Sequence, residues 1–191
     1  MTARHLLPTP GPASEIAAVF GALVPQLETA RTRLRAPRLA DFAAYREIVC
    51  GDRGAFVGGP MSEEDAWLDF ASLSSCWMLF GHGGWSVLDK TEGRLLGFVV
   101  LGLEPGDQDV ELGFLFLAEA EGRGYAFEAA QTIRDWAFTH LRLKTLDSYI
   151  DARNERSIAL AGRLGATDET PRDWAHPGLL RFRHYTKELA Q

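Results

Sequence analysis

The chain has 191 residues, 46% of them hydrophobic and 24% charged. That suits one folded domain, or one with a small appendage, rather than a disordered segment. A formal net charge of −6 disfavours a generic nucleic-acid binder, because neutralising phosphates takes a concentrated basic surface. Cys50 and Cys76, the only cysteines, lie far apart outside any paired motif and read as free or buried thiols of a reducing compartment. Met1 to Pro12 lacks the apolar core of a signal peptide, and the longest apolar stretch, Leu95 to Leu103, is too short for a bilayer. A soluble, cytoplasmic chain without a membrane partner is the expectation.

Pro8, Pro10 and Pro12 keep the first dozen residues out of helix and strand. Ser14 then suits the cap of a helix striped by Ile16, Val19, Phe20, Leu23 and Leu27, which Pro25 kinks or ends. This gives an N-terminal extension over residues 1–30, expected to pack on the rest of the chain, with a homodimer partner as the other cover. The main domain, residues 31–191, opens on a weak strand from Thr32 to Arg35 and a helix from about Asp41 to Cys50. Ser62 with Glu63, Glu64 and Asp65 starts a helix that reaches at least Leu73, its acids placed where the macrodipole favours them.

Gly81, Gly83 and Gly84 end that helical half. Trp85–Leu88, Leu95–Leu103 and Asp109–Leu117 read as three successive antiparallel strands, joined by turns too short for a crossover. Ala126, Ala129, Ala130, Ile133, Ala137 and Leu141 then recur at helical spacing, so Tyr125 to His140 is an amphipathic helix. A strand from Thr145 to Ile150, a helix from Arg156 to Leu164 and a last strand from Arg181 to Tyr185 complete the chain. Strand, helix and strand from Asp109 to Ile150 call for one parallel pairing. The fold class is therefore mixed α/β, a mostly antiparallel sheet with helices on both faces.

The segment Glu121-Gly122-Arg123-Gly124-Tyr125-Ala126 stands between a strand and the strongest helix. Glycines there let the backbone bend and approach a ligand, and the free N–H groups of a helix start attract a phosphate or pyrophosphate. The plain alternative is a glycine-rich turn. A dinucleotide site fits less well: Phe127 stands where the third glycine of Gly-x-Gly-x-x-Gly belongs. Asp147 or Asp151 at ribose-acid spacing does not repair that.

Val110 to Leu117, running on through Ala118-Glu119-Ala120-Glu121-Gly122-Arg123-Gly124-Tyr125-Ala126-Phe127-Glu128-Ala129, resembles the acetyl-CoA motif of the GNAT (Gcn5-related N-acetyltransferase) superfamily, and in particular its RimJ/RimL-like branch of ribosomal-protein alanine acetyltransferases. Asp151 to Ser157, followed by Arg163-Leu164-Gly165-Ala166, resembles the next motif of that branch. Gly58-Gly59-Pro60 and the Trp77 to Trp85 segment also look similar, and the likeness spans Arg31 to Lys187. The resemblance implies a GNAT fold with acetyl-CoA as cosubstrate and no metal. It implies that Gly122, Arg123, Gly124, Tyr125 and Ala126 hold the CoA pyrophosphate through backbone N–H groups. Phe116 and Leu117 would meet the pantetheine arm, Asn154 would lie beside the cofactor and Ser157 near its sulfur. Two positions depart from the family pattern: Glu121 replaces a common Gln or Arg, and Ala161 replaces a tyrosine general acid.

Acyl transfer from a thioester needs a neutral amine, a donor for the oxyanion and a way to reprotonate the thiolate, and it relies mainly on positioning and fixed N–H groups. By resemblance the Phe116 N–H is the oxyanion donor. Glu111 opens the strand that leads to the site and suits a base acting directly or through water; the alternative is a solvated or salt-bridged strand residue. Ser157 either donates toward sulfur or caps the helix after Asn154. His82 reads as a mobile loop histidine, His140 as a cation near a helix end, and His176 and His184 lack metal-ligand spacing. Cys76 reads as core. Trp67, Trp77, Trp85, Phe56 and Tyr45 fall where an acceptor pocket would form, with aromatic core as the default explanation. The expectation is N-acetylation of a primary amine, small molecule or peptide, by direct attack in a ternary complex. The alternatives are a non-catalytic acyl-CoA-binding or regulatory module, and a nucleotide-binding protein.

Overall fold

The computed structural model describes residues 3–186; Lys187, the far limit of the resemblance, lies outside them. Eight strands form one sheet: β1 (Leu27–Glu28), β2 (Thr32–Arg35), β3 (Gly84–Asp89), β4 (Leu95–Gly102), β5 (Glu111–Phe116), β6 (Thr145–Asp151), β7 (Thr167–Asp168) and β8 (Leu179–Tyr185). Their spatial order is β1-β2-β3-β4-β5-β6-β8-β7. Every neighbouring pair is antiparallel except β5 with β6. Five α-helices complete the fold: α1 (Pro12–Leu23), α2 (Phe42–Val49), α3 (Glu63–Phe80), α4 (Tyr125–Thr139) and α5 (Glu155–Arg163). This is the mixed α/β arrangement expected from the sequence.

Period-two alternation in β4 builds two of the cores. Val99 and Leu101 face α4, joining Ala129, Ala130, Ile133 and Ala137. Phe98 points the other way, into Phe42 and Tyr45 of α2 and Phe70 of α3. The tryptophans Trp77, Trp85 and Trp136 meet edge to face, with Trp77 and Trp85 centroids 4.6 Å apart. The Ser62 hydroxyl caps α3 by accepting from the Asp65 N–H at 3.1 Å, and left-handed Gly81 ends it.

The N-terminal helix departs from expectation in two ways. Gly11, not Ser14, is its cap residue, with Pro12 at the first helical position. The Ser14 hydroxyl instead donates back to the Gly11 carbonyl at 2.8 Å. No residue of α1 is buried, and Leu23 is 72% exposed, so the apolar stripe does not pack on the domain. The cause lies just beyond it. Val24 enters the core, and Leu27, expected on the stripe, leaves the helix to pair with Leu34 of β2. The chain is thereby tied along the sheet edge, and α1 projects from it. β1 thus joins the sheet from the N-terminal side of the expected boundary at residue 30.

Candidate active site

The parallel pair β5–β6 sets up the site. The two strands meet at one register pair, Glu111 with Asp147, and then part. At the parting the Ser148 hydroxyl donates to the Leu112 carbonyl at 2.7 Å, doing with a side chain what the ladder no longer does. Past it a cavity of about 940 Å³ opens, lined by Gly113, Phe114, Leu115 and Phe116 from β5 and by Ser148, Tyr149 and Ile150 from β6.

Strand chemistry decides which β5 groups face this gap. The Leu117 N–H donates to the Leu96 carbonyl at 2.9 Å, and the Leu117 carbonyl accepts from Ala120. Backbone groups alternate sides along a strand, so Leu115 also faces β4, while the N–H and C=O groups of Phe114 and Phe116 face the cavity. Of the two pantetheine positions expected by resemblance, Phe116 therefore has its backbone free toward the gap. Both backbone groups of Leu117 are engaged within the chain.

The turn from Glu121 to Gly124 follows. Gly122 and Gly124 adopt left-handed φ values of 69° and 81°, which glycine reaches without the steric cost a Cβ would bring. Gly124 is the cap residue of α4. Among the described residues no N–H from Gly122 to Ala126 donates to a backbone carbonyl, so the start of a 15-residue helix presents free donors. The turn is braced from behind. The Tyr125 hydroxyl donates to Asp89 at 3.0 Å, Arg31 lies over the Tyr125 ring at 4.7 Å, and Arg31 donates to the Arg123 carbonyl at 2.9 Å. These residues fit a diphosphate: open backbone, no side chain across it at Gly122, and a positive helix end.

Asn154 and Ser157 lie in the cavity wall. Asn154 is the cap of α5, its side-chain oxygen accepting from the Ser157 N–H at 3.1 Å. Ser157 therefore does not cap that helix. Glu121 is gripped on both sides, by Arg53 and by Arg156, an arrangement with no local sequence signal because the three residues come from separate segments.

Glu111 lines the other end of the cavity. Burial pushes its carboxyl up to about 8, reinforced by the carboxylates of Glu104, Asp107 and Asp147 and partly offset by the Tyr149 backbone N–H. It forms no ion pair among the described residues, so the salt-bridged alternative is not what the structure shows. Asp69, Glu104 and Tyr149 share the cavity with it and were not singled out from sequence. They sit on a helix, a loop and a strand far apart in the chain, and only the tertiary fold brings them together. Burial, with Asp147 next, pushes the Tyr149 hydroxyl up to about 12.

The remaining candidates sort cleanly. Tyr45 and Phe56 line the cavity, whereas Trp67, Trp77 and Trp85 do not and pack in the cores. Cys76 also lines it. His82 is buried, its Nδ1 bonding the Leu101 carbonyl at 2.7 Å; it is an anchored histidine, not a mobile one, because the chain from α3 into β3 presses it on β4. His184 is buried beside Ser148, and burial pushes its imidazole down to about 4. Asp147 and Asp151 are paired with Arg183 and Arg153, so neither stands free for a ribose. Among the described residues no group of His, Cys, Asp and Glu is placed to hold a metal, and no helix is long and apolar enough to cross a membrane.

A splayed parallel pair that exposes strand N–H groups, followed by a glycine turn at a helix start, fits an acyl-CoA on a fold of the GNAT class. Residues 31–167 match the family described as acetyltransferase (GNAT) domain, and the chain belongs to that family. An acetyltransferase structure from Agrobacterium tumefaciens str. C58 is similar at 37% identity and a TM-score of 0.81, covering 85% of this chain and 95% of that one. The structure of RimL, a ribosomal L7/L12 alpha-N-protein acetyltransferase in complex with coenzyme A, shares the fold at 12% identity and a TM-score of 0.68, over 84% of this chain and 98% of that one. An uncharacterized Bacillus subtilis (strain 168) protein, YkkB, is 31% identical over 103 residues, 51% of this chain. That match spans 59% of the curated relative's length.

Proposed function

We propose that this chain is an acetyl-CoA-dependent N-acetyltransferase of the RimJ/RimL-like branch, acting on a primary amine by direct attack in a ternary complex. The carrying observation is the outward-facing backbone of Phe114 and Phe116, opening on a cavity that leads to the free N–H groups of Gly122 to Ala126. Acetyl-CoA supplies an activated acyl group on a thiol that leaves readily. The chain's own part is to position and to stabilise charge. The Phe116 N–H donates to the carbonyl oxygen as negative charge grows there. Glu111 takes the proton that the attacking nitrogen sheds, directly or through water, and a carboxyl with a pKa near 8 is well matched to that exchange. Ser157, in the cavity wall with its hydroxyl free of a capping role, is the donor assigned to the sulfur by resemblance, and Asn154 orients the start of α5 beside it.

A second reading, a non-catalytic acyl-CoA-binding module, is favoured by one observation: Ala161, where relatives carry a tyrosine, is fully buried and offers no acid. The two readings separate in one assay. Incubation with acetyl-CoA and a panel of primary amines is expected to release free thiol in proportion to amine. Thermal stabilisation by coenzyme A without thiol release from any amine favours the binding module, and absence of both removes the CoA assignment.

A further inference from the structure

The cavity carries more negative charge than the acetyl-transfer chemistry needs. Its wall holds five acidic side chains, Asp52, Asp69, Glu104, Glu111 and Glu121, of which Glu111 is mostly protonated below about pH 8, against two guanidinium groups, Arg53 and Arg156. Both arginines pair with Glu121. Among the described residues the other four carboxylates have no cationic partner. Elsewhere on this chain the buried carboxylates are compensated: Asp41 has Arg35, Asp147 has Arg183, and Asp89 accepts from the Thr91 and Glu92 backbone N–H groups and the Tyr125 hydroxyl.

Two details show that this end of the cavity is built. Tyr45, only 2% exposed, donates its hydroxyl to Asp69 Oδ2 at 2.5 Å. That bond fixes the carboxylate at the cavity wall and leaves its other oxygen open. Glu111 receives no hydrogen bond from any described side chain; the surface it retains is cavity wall. Neighbouring carboxylates add to burial in shifting these groups. Burial first, then Asp107 and Asp69, push the Glu104 carboxyl up, and burial with Glu104 does the same to Cys76. A cation placed among these groups opposes that shift.

We infer that the acceptor is an amine carrying a second positive charge, an aliphatic diamine or longer polyamine, whose distal ammonium is held by Asp69 and Glu104 while its reacting nitrogen faces Glu111. This rests on the acetyl-transfer reading for the fate of the reacting nitrogen, but the cation site itself does not depend on it. A neutral or anionic acceptor would bring no charge to offset Asp69 and Glu111, which are part-buried, while Glu104 is exposed to solvent. A second ammonium both satisfies them and orients the first. Asp69 and Glu104 thus set specificity, with no part in bond making.

The test compares diaminobutane with butylamine, which share a chain length and differ in the second charge. With acetyl-CoA, the diamine is expected to show a kcat/KM about tenfold higher or more, in line with one charge-assisted contact, and a KM that rises with ionic strength. Asp69→Asn and Glu104→Gln are each expected to raise the diamine KM by about tenfold with a much smaller change in kcat, and to shrink the preference. Equal use of the two amines, or variants that keep the full preference, would overturn the inference. Calorimetric titration of diaminobutane into the CoA-saturated chain, or into the chain alone if coenzyme A does not bind, reads the site without turnover. Binding weakened in both variants supports it, and no detectable binding overturns it even if butylamine is acetylated. Thiol release absent with every amine, alongside binding that depends on Asp69, would remove acetyl transfer and leave the cation site standing. Melting curves with and without coenzyme A identify a variant that has merely failed to fold.

Discussion

The two ends of the cavity are electrically opposite, although a single six-residue strand, β5, connects them. Where β5 and β6 finish, the chain enters α4 and α5, so two helix starts and two arginines gather there. Where β5 begins, the wall comes from the side of α3 and the loop before Glu111, and the charges are carboxylates. The polarity follows from topology. Parallel strands followed by helices place both helix N-termini, with their free N–H groups, at the same end. The opposite end has no such contribution and takes its character from side chains alone. The proposed cofactor end is therefore largely dictated by the fold, and the proposed acceptor end by a few substitutable residues.

The comparison is best broken at Glu111. Glu111→Gln is expected to lower kcat at least about a hundredfold, the usual worth of a positioned base. With a pKa near 8, the carboxyl is mostly protonated below that value. The ratio of wild-type to variant kcat/KM should therefore grow with pH and level off above about 8. The amine's own titration affects both proteins and cancels in the ratio. A ratio that stays flat across pH would take the base role from Glu111.

At the cofactor end the corresponding change is Gly124→Val. A β-branched residue at φ 81° is strained whatever the space around it, and its Cβ also meets Arg31 at 3.3 Å. Coenzyme A affinity is expected to fall about tenfold or more, since 1–2 kcal/mol of local strain either melts the turn or tilts its N–H groups. Unchanged affinity by calorimetry would mean that the turn does not carry the diphosphate.

Glu111 also leaves a thermodynamic trace. Its folded pKa is raised, so between about pH 4.5 and 8 the folded state binds more protons than the unfolded one, and stability falls as pH rises through that window. Gln at this position does not titrate. The two proteins should melt alike near pH 5, and the variant should melt higher at pH 9, by roughly 2–4 °C for each kcal/mol recovered. A variant that melts lower at pH 9 would mean that the carboxylate is solvated rather than buried.

The same contrast explains what was legible in the sequence. The cofactor end is contiguous: β5, the glycine turn and α4 are one stretch of chain, so periodicity, glycine placement and family likeness all bear on it. α4 begins at Tyr125 as its pattern requires, and β2 spans Thr32–Arg35 as expected. The proposed acceptor end is assembled from Asp69, Glu104 and Tyr149, which carry no motif, together with Tyr45, whose place there the sequence did suggest; they meet only after the sheet has formed. Two-residue strands such as β1 and β7 were equally invisible, because edge pairing of so few residues leaves no alternation to detect. His82 misled for a related reason. A histidine among glycines resembles a loop, and nothing local reveals that the Leu101 carbonyl, 19 residues on, holds its ring.

Glu121 lies on the boundary between these cases, a carboxylate set among the positive groups. Two effects of Glu121→Gln oppose each other. Losing the pairs to Arg53 and Arg156 costs little, because Arg156 is 81% exposed and the pair with Arg53 is about a third exposed on each side; such contacts contribute about 0–1 kcal/mol. Against that, the change removes an anion from beside the expected diphosphate and frees two guanidinium groups, whose charge-assisted bonds to phosphate are worth about 1.5–3 kcal/mol. The second effect is the larger, so coenzyme A should bind about three- to tenfold more tightly, by calorimetry at low salt, with a melting temperature lowered by no more than about 2–4 °C. The gain should shrink as salt screens the freed arginines. Weaker binding in the variant would show instead that Glu121 holds the arginines in the geometry the phosphates require.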